Sequence, residues 1–196
     1  MIPCFTRILE KVSAQFPSLT KGFIRYYEPV IEEEIRLGEI SREDKILFIG
    51  GGAIPATAYG IHGKTGAAID VIDRDSCAVR CAEKLTERLG LSKGIRVFRE
   101  DGKRIDTKGY TVVLIALQAC PQKEIVKNAL SNSKEGTRVI VRCPSHGLQS
   151  VYDTSIDDLD CFSKEKGRSR TYTMSGSLLF VVNPLTHLKE RDPQRA

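Results

Sequence analysis

Short β-rich runs alternate with helical stretches through most of this chain. Six of them follow one another: KILFIGG, GAAIDVID, GIRVFRED, YTVVLIAL, GTRVIVRC and GSLLFVVNP. This alternation predicts an α/β fold with a mainly parallel sheet and helices on both faces. Because ILFI, VVLIAL and VIV are almost continuously apolar, their strands should be covered on both sides. No clear helix precedes the sixth run, so the last strand is expected to lie antiparallel to its neighbour.

The residues before the first strand carry a helical pattern instead. Pro3 to Gly38 alternates apolar and polar residues at helical spacing, and EPVIEEEIRLGEI suits a helix that stops at Gly38. We therefore predict two helices in an N-terminal helical segment over residues 1–43, followed by an α/β domain over residues 44–196. The run SKEKGRSR and the tail HLKERDPQRA are interpreted as a solvated loop and a frayed terminus.

Composition argues against several classes of protein. A chain of 196 residues with 41% hydrophobic and 28% charged residues is ordinary for one globular domain. No run approaches the roughly 18 apolar residues that span a bilayer, and no signal-peptide pattern is present, so a cytoplasmic protein without a membrane partner is expected. Six cysteines without a CxxC pair predict free thiols and no metal site. The net charge of +5 is modest, and no nucleic-acid partner is expected.

The first strand ends in a glycine run, FIGGGAIPATAYG. Gly50, Gly51 and Gly52 have no Cβ, so the backbone can turn tightly and approach a ligand, while the next helix points free N–H groups into the crevice. Sites on parallel sheets lie outside the carboxyl ends of the strands, which is where this run falls. Taken alone, the run also fits a plain strand-to-helix turn.

Carboxylates follow the next two strands. Asp73 stands about 20 residues beyond the glycines, where it can accept hydrogen bonds from both hydroxyls of a ribose. Asp75 is the less favoured alternative, because it suits the N-terminus of the next helix. Asp101, followed by Gly102, ends the third strand and can accept from an adenine amino group, although a turn aspartate before glycine is about equally common.

A glycine turn after the first strand, with acids after the second and third, resembles class I S-adenosylmethionine-dependent transferases from about Lys45 to the last strand. The resemblance implies a Rossmann-like class I methyltransferase fold and S-adenosyl-L-methionine as the cofactor. The cofactor-binding positions it implies are Gly50, Gly51, Gly52, Ala53, Ile54, Pro55, Thr57, Asp73, Arg74, Asp101, Gly102, Leu117 and Gln118.

A nicotinamide-binding protein shares the first glycines and the ribose acid, but its third glycine lets the helix pack beside a pyrophosphate. Ile54 and Pro55 stand in that region here. Pro55 suits the first turn of a helix, yet it removes one N–H donor that a pyrophosphate would need. The turn therefore favours a ligand with a ribose and no phosphate, with Ile54 as an apolar wall.

A narrower resemblance is carried by the turn and by the fourth and fifth strands. FIGGGAIPATA looks like the G-x-G-x-x-P-x-T turn of the nicotianamine synthase family, here Gly50, Gly52, Pro55 and Thr57. The stretch from VVLIALQAC to SIDDLD is similar to that family's fourth strand, helix and fifth strand, followed by an arginine-to-glycine loop and a tyrosine, here Arg142, Gly147 and Tyr152. Upstream, RYYEPVIEEEIRL is similar to its tyrosine-and-glutamate helix, with the register open by a residue or two.

This resemblance implies transfer of the 3-amino-3-carboxypropyl group of S-adenosylmethionine to an amine of a small-molecule acceptor, with release of methylthioadenosine. An amine must be neutral to attack carbon, so a base is needed, and a partly buried glutamate can have its pKa raised toward that task. Glu33 is the candidate base, with Glu32 and Glu34 as alternatives. Tyr27 or Tyr26 would orient the acceptor or the carboxylate of the cofactor.

Two residues beyond the fifth strand could face the acceptor. Arg142 can pair with an acceptor carboxylate through its planar fork, whereas His146 in PSHG is more often a loop residue than a catalyst. Three functions stay open: an aminocarboxypropyl transferase, a small-molecule methyltransferase with the same cofactor pocket, and a non-catalytic cofactor-binding protein. Another subunit could complete the acceptor pocket, so a homo-oligomer is also open.

Overall fold

The computed structural model describes residues 17–144, 165–167 and 174–183. Its helices are α1 (Pro17–Leu37), α2 (Ala56–Thr65), α3 (Ser76–Arg88) and α4 (Gln122–Asn132). Its strands are β1 (Lys45–Ile49), β2 (Ala68–Asp73), β3 (Ile95–Arg99), β4 (Val112–Ile115), β5 (Arg138–Pro144), β6 (Glu165–Gly167) and β7 (Met174–Val181).

The seven strands form one sheet in the order β3-β2-β1-β4-β5-β7-β6. Strands β1 to β5 run parallel, and β7 lies antiparallel beside β5. All six predicted strands are present, and the antiparallel last strand is confirmed. The interpretation of SKEKGRSR as a solvated loop is wrong at Glu165–Gly167, which pairs with β7. A short polar segment can close a sheet edge through its backbone alone, without any apolar pattern.

Both faces of the sheet are buried, each in its own core. Phe48 of β1 packs in one core with Ile31 of α1 and Leu85 of α3. The neighbouring residue Leu47 points to the other face, where it packs with Ile125 of α4. Because consecutive residues of a strand face opposite sides, a strand covered twice must be apolar throughout. The expectation of doubly covered strands is confirmed.

Helix α1 ends at Leu37, directly before Gly38, as predicted. Its apolar face carries Val30, Ile31 and Leu37 at helical spacing, and all three are buried. The helix packs tightly against α2 at Gly60, where a Cβ would lie 2.4 Å from Cδ1 of Ile31. The other helix predicted before Gly38 falls on residues 1–16, outside the described part of the chain. Within that part, no helix combines the length and apolarity needed to cross a membrane.

Two aspartates are held away from the carboxyl ends of the strands. Asp70, inside β2, accepts from Arg96 at 2.8 and 2.6 Å and from the hydroxyl of Tyr110 at 2.9 Å. Asp44 accepts from the hydroxyl of Thr111 at 2.7 Å and pairs with Arg138. Burial alone would raise both carboxyl pKa values, but these hydrogen bonds and charges outweigh it and lower the pKa of each.

A buried hydrogen bond links α2 to α3. The hydroxyl of Tyr59 lies 2.9 Å from the hydroxyl of Thr86, and both residues are buried. The hydroxyls of Thr86 and Tyr59 both reach the carbonyl of Ala82 as well, at 2.7 and 3.4 Å. Burial raises the pKa of Tyr59 to about 12, which keeps the phenol protonated and able to donate.

Candidate functional site

An open cleft lies at the carboxyl ends of β1, β2 and β3, where the sequence predicts a site. Seven of the predicted cofactor-binding residues line it: Gly50, Gly52, Asp73, Arg74, Asp101, Gly102 and Gln118. The lining also includes Asp75, the less favoured alternative for the ribose, and Glu100 and Cys120, which were not predicted from the sequence. Their positions in the sequence indicate this place, because each lies within two residues of a predicted lining residue and close to the end of a strand.

The glycine turn at the floor of the cleft depends on glycine for two different reasons. Gly50 and Gly52 have φ of 85° and 65°, in the left-handed region that side chains disfavour. At Gly51 the constraint is space, since a Cβ would lie 2.2 Å from Cγ1 of Val71. The N–H groups of Gly50 and Gly51 donate to the carbonyl of Ile72 at 2.9 and 3.2 Å. The turn is therefore fastened to β2, the strand that supplies Asp73.

Asp73 is held against the turn by two backbone donors. Its Oδ2 accepts from the N–H of Gly52 at 2.9 Å, and its Oδ1 accepts from the N–H of Asp75 at 2.9 Å. Each carboxylate oxygen can accept a second hydrogen bond, so the fixed carboxylate can still receive two ligand hydroxyls. Asp75 caps α3 by accepting from the N–H of Cys77 at 2.8 Å. This is the helix N-terminal position that the sequence predicted for it.

The third and fourth strands complete the lining. Asp101 accepts from the N–H of Lys103 at 3.0 Å, so it shapes its own turn as well as facing the cleft. Its neighbour Glu100 accepts from the N–H of Asp101 at 2.9 Å. Gln118 follows β4 and donates to the carbonyl of Gly50 at 3.3 Å, which places its side chain across the glycine turn.

The other predicted cofactor residues lie beside the cleft and not on its lining. They are Gly51, Ala53, Ile54, Pro55, Thr57 and Leu117. Pro55 directly precedes α2, which fits its preset φ. Ile54 packs against the core under α1, instead of forming the expected wall of the cleft. Leu117 is buried with Val30 and Met174.

The three consecutive glutamates of α1 occupy three different environments. Glu32 forms an exposed ion pair with Lys64 at 3.0 Å. Glu33 pairs with Arg36, also at 3.0 Å, and its side chain is 21% exposed. Glu34 is 0% exposed. Glu33, the candidate base, is therefore partly buried, whereas Glu34, one of its two alternatives, is fully buried.

Glu34 binds Arg142 through both of its oxygens. The Nε and Nη2 atoms of Arg142 donate to Oε1 and Oε2 of Glu34 at 2.7 and 2.8 Å. Nη2 also donates to the hydroxyl of Thr57 at 2.9 Å, and the hydroxyl of Ser177 donates to Glu34 at 3.2 Å. Burial alone would lower the pKa of Arg142, but the charge of Glu34 more than offsets this and raises it. Arg142 is therefore an internal cation, and not a surface group that an acceptor carboxylate meets.

The sequence contains an indication that Glu34 is buried and paired. Glu34 lies three residues from Ile31, four from Val30 and three from Leu37, so it occupies a position on the apolar face of α1. A charged residue on a buried face needs a partner of opposite charge. The partner itself was not deducible, since it lies 108 residues away.

The two tyrosines of α1 stand edge to face, with ring centroids 5.0 Å apart. Tyr26 is 49% exposed, whereas Tyr27 packs partly inside, with its ring centroid 5.8 Å from Cζ of Arg142. His146, Gly147 and Tyr152 fall outside the described residues.

The cysteines in the described ranges are free thiols: Cys77, Cys81, Cys120 and Cys143. In the same ranges, no group of three or more His, Cys, Asp and Glu side chains is arranged to hold a metal ion.

The strand order, the antiparallel β7 and the cleft beyond β1 to β3 define a class I, Rossmann-like methyltransferase fold. No family model matches the chain. In sequence it is similar to the L-histidine 2-aminobutanoyltransferase of Yersinia pestis, with 24% identity over 171 residues. That match covers 87% of this chain and 63% of the relative, so the chain spans less than two thirds of that protein's length.

Solved structures show the same fold. MtNAS, a nicotianamine synthase, in complex with MTA and tNA, superposes with a TM-score of 0.79 at 23% identity, over 91% of this chain and 72% of that one. A mutant of MtNAS in complex with S-adenosylmethionine gives 0.74 at 21% identity, over 90% and 72%. An RNA methyltransferase from Salinibacter ruber with S-adenosyl-L-homocysteine gives 0.62 at 15% identity, over 80% and 92%.

Proposed function

We propose that this protein is an S-adenosylmethionine-dependent transferase that moves the 3-amino-3-carboxypropyl group to an amine of a small molecule. The observation that carries the proposal is the carboxylate of Asp73, held at 2.9 Å by the N–H of Gly52 in a glycine turn that Pro55 closes. Its support in the comparisons is the likeness to the Yersinia pestis transferase and to MtNAS.

The charge of the cleft suits a cationic ligand. Its lining holds four acidic side chains, Asp73, Asp75, Glu100 and Asp101, against one arginine, Arg74. Such a lining repels a pyrophosphate and attracts a sulfonium or an ammonium group. This charge balance supports S-adenosylmethionine and argues against a dinucleotide.

Individual groups of the cleft match parts of the cofactor. Asp73 would bind the ribose hydroxyls, Asp101 the adenine amino group, and Gln118 the methionine portion. Bound S-adenosylmethionine would supply an electrophilic carbon next to its sulfonium.

On the acceptor side, the protein must take a proton from the attacking amine. We assign this to Glu33. Both glutamates accept from an arginine through both oxygens, but Glu34 and its partner Arg142 are buried, whereas Glu33 is 21% exposed and its partner Arg36 is 58% exposed. Tyr27 and Tyr26, six and seven residues or about two turns before Glu33 on α1, would orient the acceptor. A base needs an oxygen that the substrate can reach, and the exposure of Glu33 and Arg36 supports Glu33 over Glu34.

The by-product identifies which group of S-adenosylmethionine has been transferred. We expect incubation with S-adenosylmethionine and a pool of amines that includes L-histidine to release methylthioadenosine, detected by chromatography. Glu33→Gln should suppress the release and keep cofactor binding, because an amide cannot accept the amine's proton. The matched control is Glu32→Gln, which removes an exposed charge one position away. Equal turnover in both variants would remove Glu33 as the base.

The methyltransferase alternative has support in the fold shared with the Salinibacter ruber enzyme. S-adenosylhomocysteine as the sole product would establish it. Tight cofactor binding without either product would favour a non-catalytic protein. Calorimetric binding of NAD at micromolar affinity, with none of S-adenosylmethionine, would overturn the assignment of the cleft itself.

A further inference from the structure

The guanidinium of Arg142 is contacted from several elements at once. Glu34 of α1 binds two of its nitrogens, and Thr57 of α2 accepts from Nη2. The ring centroids of Tyr27 and Phe48 lie 5.8 and 5.6 Å from its Cζ, within the range of cation–π attraction. One buried cation thus contacts α1, α2 and β1 while belonging to β5.

These contacts lie on both sides of the glycine turn in the sequence and on one face of α1. Phe48 lies two residues before the first glycine of the turn, and Thr57 lies two residues after Pro55. Tyr27 and Glu34 are seven residues apart, about two helical turns, so they share one face of α1. Arg142 therefore connects both ends of the turn to the helix that carries the acceptor-side tyrosines.

The backbone of Arg142 is held from the other face of the sheet. The side chain of Gln122, the first residue of α4, donates through Nε2 to the carbonyl of Arg142 at 3.1 Å. Gln122 is itself 1% exposed. Arg142 is thus fixed at its backbone by α4 and at its side chain by α1 and α2.

From this geometry we infer that Arg142 is a positioning residue: it sets the distance and rotation of α1 relative to the glycine turn. The inference rests on the proposed function, in which α1 serves the acceptor and the turn serves the cofactor. A planar guanidinium bound at two points to a carboxylate allows one orientation of the helix. Apolar contacts alone would tolerate small rotations of α1.

A purely stabilising role makes a different prediction. Replacing a buried ion pair by apolar residues of similar size often leaves the stability of the fold unchanged or raises it. Removing only one partner lowers the stability, because it leaves a buried charge without a counter-ion. The double variant Glu34→Met with Arg142→Met therefore separates positioning from stability. It keeps the volume of the pair and removes its directional bonds.

We expect the double variant to keep the melting temperature and the S-adenosylmethionine affinity of the parent. Hydrogen exchange in α1 should become faster, and kcat for the acceptor should fall by about a hundredfold, the cost of a misplaced reacting group. The single variant Arg142→Lys should keep more of the parent's kcat than the double variant does. Its ammonium group retains the positive charge beside Glu34 but cannot form the two parallel hydrogen bonds of a guanidinium. The control is Lys64→Met, which removes the exposed ion pairs from α2 to Glu28 and Glu32 of α1 and should change none of these measurements.

The outcomes distinguish this inference from the proposed function. Unchanged α1 exchange in the double variant overturns positioning, whether or not the parent turns over an acceptor. A parent without methylthioadenosine release overturns the proposed function, while faster exchange confined to α1 would still support positioning. A double variant that fails to fold shows that the pair is structural and also overturns the inference.

Discussion

Replacing Gly51 by alanine should destabilise the protein through a single contact. The new Cβ would lie 2.2 Å from Cγ1 of Val71, far inside the roughly 3.5 Å at which carbon atoms pack. Val71 cannot turn aside easily, because its branched Cβ restricts χ1. It is also buried in β2, between Phe48 of β1 and Val97 of β3. The backbone of the turn must move instead.

The expected loss follows from the cost of overpacking a core. Inserting one methyl group without room for it costs about 1 to 3 kcal/mol. For a chain of this size, that corresponds to a decrease in melting temperature of roughly 2 to 12 °C. Because the displaced backbone carries the N–H that holds Asp73, the affinity for S-adenosylmethionine should fall as well.

Thermal and urea unfolding of four variants would test this reasoning. Val71→Ala alone should cost about 2 kcal/mol for the lost methyl groups and the cavity. In the double variant, the vacated space accepts the new Cβ of Gly51→Ala, so the combined loss should be less than the sum by about 1 kcal/mol or more. The control is Gly63→Ala in α2, where no heavy atom lies within 4 Å of the added Cβ. It should stabilise the protein by about 0.5 to 1 kcal/mol.

Strict additivity of Gly51→Ala and Val71→Ala would refute the proposed clash. So would a Gly51→Ala variant as stable as the parent.

Three further predictions concern ionisable and buried polar groups. Asp73→Ala should weaken S-adenosylmethionine binding by about 1.5 to 3 kcal/mol in calorimetry, the range for hydrogen bonds to a charged group, and Asp75→Ala by much less; equal losses would contradict the ribose assignment. The pKa values of Asp44 and Asp70 are lowered from 3.8 by folding, so their stabilising contribution is complete above that pH and is lost as the pH falls through the lower folded values. Acid unfolding followed by circular dichroism should be shallower in Asp70→Asn, and an unchanged slope would contradict this. Tyr59→Phe should lower the free energy of unfolding by about 0.5 to 1.5 kcal/mol. Ultraviolet titration of the variant should show one tyrosine fewer ionising near pH 12 than in the parent, and an identical titration curve would contradict the raised pKa of Tyr59.

The sheet was predictable because its strands are buried on both faces and therefore leave continuous apolar runs, as in ILFI and VIV. Strand β6 was not, since its three residues, Glu165 to Gly167, are too few and too polar to show an apolar alternation. Its pairing depends on the free edge of β7, which exists only after the chain has folded.

The cleft was predictable for a similar reason, because topology brings the residues after β1, β2 and β3 to one edge of the sheet. The orientation of α1 was harder to predict, since consecutive side chains of a helix point in directions about 100° apart around its axis. Which of three glutamates faces inward is decided by the packing of Val30, Ile31 and Leu37. The pairing of Glu34 with Arg142 depends on contacts between distant parts of the chain, which local patterns do not contain.

The close approach of α1 and α2 at Gly60 limits how this protein could be rebuilt. Ile31 fills the space where any other residue at position 60 would place a Cβ. A helix taken from a related protein would have to present a side chain of similar shape opposite Gly60 to lie in this position. Helix α1 therefore cannot be exchanged as an independent module unless α2, the helix that follows the glycine turn, is redesigned with it.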